Sequence, residues 1–170
     1  MCGIFGAVSS KNIQSNLIVG LQKLEYRGYD SSGLSIFNGR NKIQRIRRAG
    51  KIKELKKDLS RSKLTGLCGI AHTRWATHGE PILKNSHPHN SSCVSIVHNG
   101  IIENSDELKK ILVRKKYKFT SDTDSEVIAH LLSNDMKNSK KRYLDLYSQK
   151  ISMKTEQTCL FQLFRLHHNL

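Results

Sequence analysis

Apolar and polar positions along the chain follow two periods, one close to 2 and one close to 3.6. Residues 3–8 form a short apolar stretch that predicts a strand at the start of the chain. Ile13, Leu17, Ile18, Leu21 and Leu24 then recur at the spacing of one helix face, with Ser10 ahead of them as a cap. Gly28 lies just past this helix, in a polar turn running to Ser32. Residues 34–37 and 40–47 flank Asn38-Gly39, a dipeptide that favours the tight type I′ turn, so this stretch predicts a β-hairpin. Ile52, Leu55 and Leu59 predict a short basic helix. Strands are predicted over 66–72 and 93–98, separated by a polar stretch with Gly79, Pro81 and Pro88 that reads as a loop. Asn104 with Glu107, and Thr123 with Glu126, resemble helix caps, each ahead of an apolar helical face that starts at Leu108 and at Val127. There is no internal repeat, and strands mixed with amphipathic helices predict a mixed α/β domain.

Composition narrows the class. A chain of 170 residues is long enough to bury one real core, and 37% hydrophobic residues argue against wholesale disorder. No apolar run approaches a membrane span, and Met1-Cys2-Gly3-Ile4-Phe5-Gly6 has no basic stretch ahead of an apolar one. A cytoplasmic protein without a membrane partner is therefore expected. The net charge of +15 raises the question of nucleic acid, and between Arg40 and Lys63 eleven Lys and Arg face only Glu54 and Asp58. Aromatic residues are absent from that stretch and no base-reading signature occurs, so a solvated basic surface and no nucleic-acid partner are expected. None of Cys2, Cys68, Cys93 and Cys159 falls in a C-x-x-C pair, which argues against a zinc knuckle or a redox dithiol. His87-Pro88-His89 lacks neighbouring carboxylates or thiols, so structural roles are expected there and no metal.

After Ser148 the character changes. Residues 149–170 have weak periodicity, no turn chemistry and no clear strand, and they end in Leu166-His167-His168-Asn169-Leu170. The sequence thus divides into an incomplete domain over 2–147 and an aberrant tail over 148–170, as a truncated or frameshifted reading frame would produce.

Cys2 carries the first candidate chemistry. A small second residue permits removal of the initiator methionine, which leaves a thiol and a free α-amine on one residue. An α-amine titrates near pH 8, so its neutral fraction can take the thiol proton, and one residue then supplies both nucleophile and base. Position alone also allows an ordinary second residue. Further motifs follow in order: Leu24-Glu25-Tyr26-Arg27-Gly28-Tyr29-Asp30-Ser31-Ser32-Gly33, His72-Thr73-Arg74-Trp75-Ala76-Thr77-His78-Gly79, His98-Asn99-Gly100-Ile101-Ile102-Glu103-Asn104 and Ser121-Asp122-Thr123-Asp124-Ser125-Glu126-Val127. With the Cys-Gly-Ile start, this series resembles the glutaminase domain of the glucosamine-6-phosphate synthases, also called glutamine–fructose-6-phosphate aminotransferases (isomerizing). Those domains are class II glutamine amidotransferases and N-terminal-nucleophile hydrolases. The resemblance covers residues 1 to about 135, and its motifs are specific together where each alone would be weak.

The resemblance implies an α+β fold, the αββα four-layer sandwich of N-terminal-nucleophile hydrolases, truncated here at the C-terminus. It implies Cys2 as nucleophile with its α-amine as base, and Asn99 and Gly100 as the oxyanion hole. Arg74, Thr77, His78, Gly79 and Asp124 would bind the substrate, with Arg74 on the α-carboxylate and Asp124 on the ammonium. A guanidinium fork suits a carboxylate, and oriented donors suit a developing oxyanion. Arg27 and Gly28 belong to a closing loop and Trp75 to an ammonia gate; the bland alternative for Trp75 is a core or loop anchor. His98 is expected to support Asn99. The implied activity is hydrolysis of L-glutamine to glutamate through a γ-glutamyl thioester, with no cofactor. In full-length relatives the ammonia reaches a C-terminal sugar-phosphate isomerase domain, absent here, within a homodimer, and converts fructose 6-phosphate to glucosamine 6-phosphate. No synthase activity is expected of these 170 residues alone. The alternatives are another class II amidotransferase, an inactive fragment, or a basic binding module.

Overall fold

The computed structural model describes residues 2–38, 42–62, 64–75, 80–138 and 153–154. The apolar start of the chain is strand β1 (Gly3–Val8), which pairs antiparallel with β4 (Cys68–Arg74). On its other side β4 pairs with β2 (Ser31–Phe37), which pairs in turn with β3 (Ile43–Ala49), so the sheet order is β1-β4-β2-β3. Side chains alternate across such a sheet, and here the alternation separates two chemistries. One face presents Phe5, Leu34, Ile36, Ile46 and Ala71 to helices α1 (Gln14–Leu24) and α2 (Ile52–Arg61). Ile52, Leu55 and Leu59, whose spacing predicts α2, are its buried face.

The opposite face is polar. Ser95 Oγ donates to Ser35 Oγ at 2.8 Å, Arg45 Nη1 to the Pro88 carbonyl at 3.0 Å, and Arg47 Nη1 to the Ser86 carbonyl at 2.7 Å. These bonds reach a second set of strands, β5 (His89–Ser91) paired with β6 (Val94–Ile96) and β7 (Ile101–Ile102) paired with β8 (Met153–Lys154). Helices α3 (Ser105–Arg114) and α4 (Glu126–Asn138) cover the far side, where Val94, Ile96, Leu108, Leu112, Ile128 and Leu132 close a second apolar cluster. The layers therefore run helix, sheet, sheet, helix, as the expected four-layer sandwich requires. Two dry layers hold the helices on, and a hydrogen-bonded polar layer lies between the sheets, where an unpaired polar group would be costly.

Several local expectations are corrected. Ser10 does not cap α1: the helix starts at Gln14, and Asn12 Oδ1 instead accepts from the backbone N–H of Gln14 (3.4 Å) and of Gly66 (3.2 Å), tying the helix start to the approach to β4. Strands β2 and β3 pair as the predicted hairpin does, with Phe37 opposite Ile43 and the Asn38 backbone N–H donating to the Lys42 carbonyl at 3.3 Å, whereas Gly39 of the predicted turn lies outside the described residues. The polar stretch read as a loop between Thr73 and Ser92 contains the end of β4, a single 3-10 turn at Leu83–Asn85, and β5. Asn104 precedes α3 without a side-chain cap bond. Glu126 turns back to accept from the backbone N–H and hydroxyl groups of Thr120 and Ser121, which shapes the loop before α4. Within 149–170, Met153–Lys154 forms a strand where the sequence offers none, and the other residues of that stretch lie outside the described residues. Among the described residues no helix is long and apolar enough to cross a membrane.

Candidate active site

The C-terminal end of β4 organises the candidate site. Pairing of Gly3 with Thr73 sets Cys2 beside the residues that follow the strand. The backbone N–H of Trp75 donates to Cys2 Sγ at 3.3 Å, and Sγ lies 3.6 Å from the Trp75 carbonyl oxygen. Among the described residues no imidazole hydrogen-bonds this sulfur. The turn after β6 brings Asn99 and Gly100, and the loop before α4 brings Asp124. Cys2, Arg74, Trp75, Asn99, Gly100 and Asp124 line one cavity of about 270 Å³. The size suits a small ligand, and a few charged and polar groups converge on it.

Arg74 is 5% exposed, and its Nη1 donates to the Glu80 carbonyl at 3.2 Å. Burial pulls its pKa down, while Cys2, Asp30 and Asp124 pull it up, so the guanidinium remains a cation in a partly dry setting. Asp124 Oδ2 accepts from the Ile102 backbone N–H at 2.7 Å, and Oδ1 accepts from Ser125 Oγ at 3.3 Å. A fixed cation and a fixed anion on one small cavity are the complement of a zwitterionic α-amino acid, whose side chain is then free to reach the sulfur.

Asn99 is held at both ends of its amide. Its Nδ2 donates to the Cys2 carbonyl at 3.2 Å, and its Oδ1 lies 2.8 Å from His72 Nε2. The residue supporting Asn99 is thus His72, and the expectation for His98 is corrected: its Nδ1 lies 3.0 Å from Ser125 Oγ, beside Asp124. Burial lowers the His98 pKa while Asp124 raises it. His72 is fully enclosed, and burial pushes its pKa down to about 4, so the ring is neutral near pH 7. Its ring stacks on that of His87 at 4.3 Å between centroids. His87 is buried on the cavity wall with neither ring nitrogen hydrogen-bonded among the described residues, and its pKa is driven well down by burial and by the neighbouring His72 and His89. His89 Nε2 lies 3.0 Å from Thr123 Oγ1, a contact that ties β5 to the loop carrying Asp124.

The remaining predicted residues divide. Gly28 packs against the carbonyl of Arg74 and the nitrogen of Trp75, so closely that a Cβ would meet the Arg74 carbonyl carbon at 2.6 Å. Arg27 is not among the described residues that line the cavity; its guanidinium sits 5.8 Å from the Tyr26 ring centre and its buried Nε has no hydrogen-bond partner among the described residues. The Trp75 side chain is 42% exposed and meets Tyr29 edge-on at 5.4 Å, which is not a core position. Thr77, His78 and Gly79 lie outside the described residues. Among the described residues no group of three or more His, Cys, Asp or Glu is disposed to hold a metal. Sequence reasoning misses Asn85, which is fully buried. Its Nδ2 donates to the Glu80 carbonyl and to Asp122, and its Oδ1 accepts from the Asp122 backbone N–H. It joins the loop after Arg74 to the loop before Asp124, and no local pattern marks it.

Comparison with known proteins gives consistent relatives. The family described as glutamine amidotransferase domain matches residues 72–160. Over 139 residues the chain is 53% identical to the glutamine–fructose-6-phosphate aminotransferase (isomerizing) of Haemophilus influenzae, which covers 82% of this chain and 23% of that protein. A protein of the same name from Francisella tularensis is 55% identical over 140 residues, again covering 82% of this chain and 23% of the relative. The Buchnera aphidicola (subsp. Baizongia pistaciae) protein of that name is 48% identical over 171 residues, spanning all of this chain and 28% of its own length. The chain therefore spans about a quarter of the length of these relatives. Among solved structures, the glutamine phosphoribosylpyrophosphate amidotransferase of B. subtilis superposes with a TM-score of 0.72 at 25% identity, over 90% of this chain and 33% of that one.

Proposed function

The chain belongs to the glutamine amidotransferase family, and from that premise we propose that it hydrolyses L-glutamine at Cys2 and, as part of a longer protein, supplies the ammonia that converts fructose 6-phosphate to glucosamine 6-phosphate. The observation that carries the first half is the meeting of a thiol, a cation and an anion on one cavity, at Cys2, Arg74 and Asp124. The second half rests on the relatives, which are 53% and 55% identical to this chain over the 139 and 140 residues aligned and are named for fructose 6-phosphate.

In this reading Arg74 holds the α-carboxylate and Asp124 the α-ammonium, and the side-chain amide extends to Cys2. With Met1 removed, the α-amine of Cys2 takes the thiol proton. The sulfur attacks the amide carbon, and the negative charge moves to the amide oxygen, which faces the Asn99 side-chain amide and the Gly100 backbone N–H. Losing one such donor costs about 3 kcal/mol in comparable enzymes. The intermediate collapses as the α-ammonium passes its proton to the amide nitrogen. The C–N bond breaks, ammonia leaves, and a γ-glutamyl thioester remains. Water, deprotonated by the same amine, attacks the thioester carbon, and glutamate departs as the thiol is restored.

Thr77, His78 and Gly79 would complete the substrate contacts, the Arg27-Gly28 segment would close over bound glutamine, and Trp75 would govern where the ammonia goes. In the longer protein the acceptor would be a C-terminal sugar-phosphate isomerase domain within a homodimer. The decisive test is Cys2→Ala. Glutamate release from glutamine should vanish in that variant, and turnover at the wild-type rate would refute the assignment.

A further inference from the structure

The Asn99 amide has only one orientation compatible with its neighbours. The Cys2 carbonyl oxygen, 3.2 Å away, is an acceptor with no proton, so the amide must present its NH₂ there. Its oxygen must then face His72 Nε2 at 2.8 Å. An acceptor at that place requires a proton on Nε2, which settles the tautomer of a neutral ring as Nε2–H. The histidine is locked in its turn: it lies mid-strand in β4, opposite Ile4 of β1 and Gly33 of β2, and His87 stacks on its ring.

An amide NH₂ has two protons. One of those on Asn99 is committed to the Cys2 carbonyl, and the other is the donor that the proposed reaction needs for its oxyanion. Rotating the amide by half a turn would set its oxygen against the Cys2 carbonyl oxygen and remove both functions together. We infer that His72 is a positioning residue for glutamine hydrolysis, whose Nε2–H fixes the Asn99 amide so that it braces the Cys2 backbone and donates to the oxyanion. The inference rests on the oxyanion reading of Asn99. No hydrogen bond joins His72 to the sulfur among the described residues, and its Nδ1 finds no hydrogen-bond partner there, so in this arrangement it acts through Asn99.

The test is a double-mutant cycle on the full chain, read as glutamate release with kcat and KM separated. His72→Leu removes the donor and keeps an apolar filling. It should lower kcat on the order of 100-fold, the scale of one lost oxyanion donor, with KM changed less than about threefold. In an Asn99→Ala background the same change should cost less than about threefold, because the residue it acts through is gone. His72→Gln, whose amide N–H reaches toward the same oxygen, should recover kcat to within about fivefold of wild type, as one retained hydrogen bond allows. That variant also carries the test if His72→Leu fails to fold, as judged by circular dichroism. Undiminished kcat in His72→Leu, a full further loss in the Asn99→Ala background, or a folded His72→Gln as slow as Asn99→Ala would each overturn the inference. If Asn99→Ala itself turns over normally, the oxyanion reading falls and this inference falls with it. A normal loss in Asn99→Ala beside undiminished His72→Leu defeats the positioning role alone.

Discussion

At Gly28 the backbone of the candidate site leaves no room for a side chain. A methyl group added there would lie 2.6 Å from the Arg74 carbonyl carbon, 2.8 Å from its oxygen and 2.9 Å from the Trp75 nitrogen. All three are backbone atoms, so no side chain can swing aside. Ordinary carbon contacts begin near 3.4 Å, so Gly28→Ala must push the two backbones apart by about 0.8 Å, a strain of the size that overpacking makes cost about 1–3 kcal/mol. The displaced peptide is the one whose N–H meets Cys2 Sγ at 3.3 Å and whose carbonyl accepts from Asp30 N–H at 3.1 Å. It also follows directly on Arg74. A misplacement near 1 Å at a reacting centre costs about 100-fold in rate, so kcat/KM for glutamine should fall roughly 10- to 100-fold. The assay pairs glutamate release with a urea unfolding curve on the same preparation. Wild-type kinetics together with an unchanged unfolding midpoint would refute the reasoning, because the contact would then be absorbed without moving either Cys2 or Arg74.

Other outcomes follow from the same site and its supports. Arg74→Lys replaces a planar fork by a point charge, so KM for glutamine should rise on the order of 10- to 100-fold with a smaller change in kcat; an unaltered KM would remove Arg74 from the carboxylate. Stability should depend on pH through the buried histidines. His72 is held at about 4 against an ordinary 6.5, so between those values the unfolded chain binds a proton that the folded chain does not. Its contribution is full above 6.5 and is lost as pH falls toward 4, by about 1.4 kcal/mol per pH unit in that window. Urea midpoints that stay level from pH 6.5 to 4.5 would contradict that burial.

Legibility in the sequence follows the range of the interaction. Elements set by periodicity appear where expected: the buried face of α2 is Ile52, Leu55 and Leu59, and of Leu108, Ile111 and Leu112, whose spacing predicts the face of α3, Leu108 and Leu112 are buried while Ile111 is exposed. Boundaries set by polar side chains do not, because Ser, Asn and Glu each have several partners within reach. Asn12 takes the role expected of Ser10, and Glu126 serves the loop before its helix. Strand β5 escapes notice because His89-Asn90-Ser91 has no apolar alternation; it is fixed by pairing with β6 and by side-chain contacts of His89 with Thr123 and of Ser91 with His130.

The sequence by itself determines the candidate chemistry: a thiol at Cys2, a guanidinium at Arg74, an amide at Asn99, a carboxylate at Asp124, and the motif order that leads to the amidotransferase family. These are properties of residue type and spacing. Only the tertiary structure decides which groups touch. The Trp75 backbone N–H, and not its indole, meets the sulfur across 73 residues, and Asn99 braces the Cys2 carbonyl across 97. His72, and not the adjacent His98, aims that amide. Such contacts depend on the register of β1 against β4 and on the depth at which two sheets meet across a polar layer. A hydrogen bond tolerates only a few tenths of an ångström, and no local pattern encodes distance to that precision.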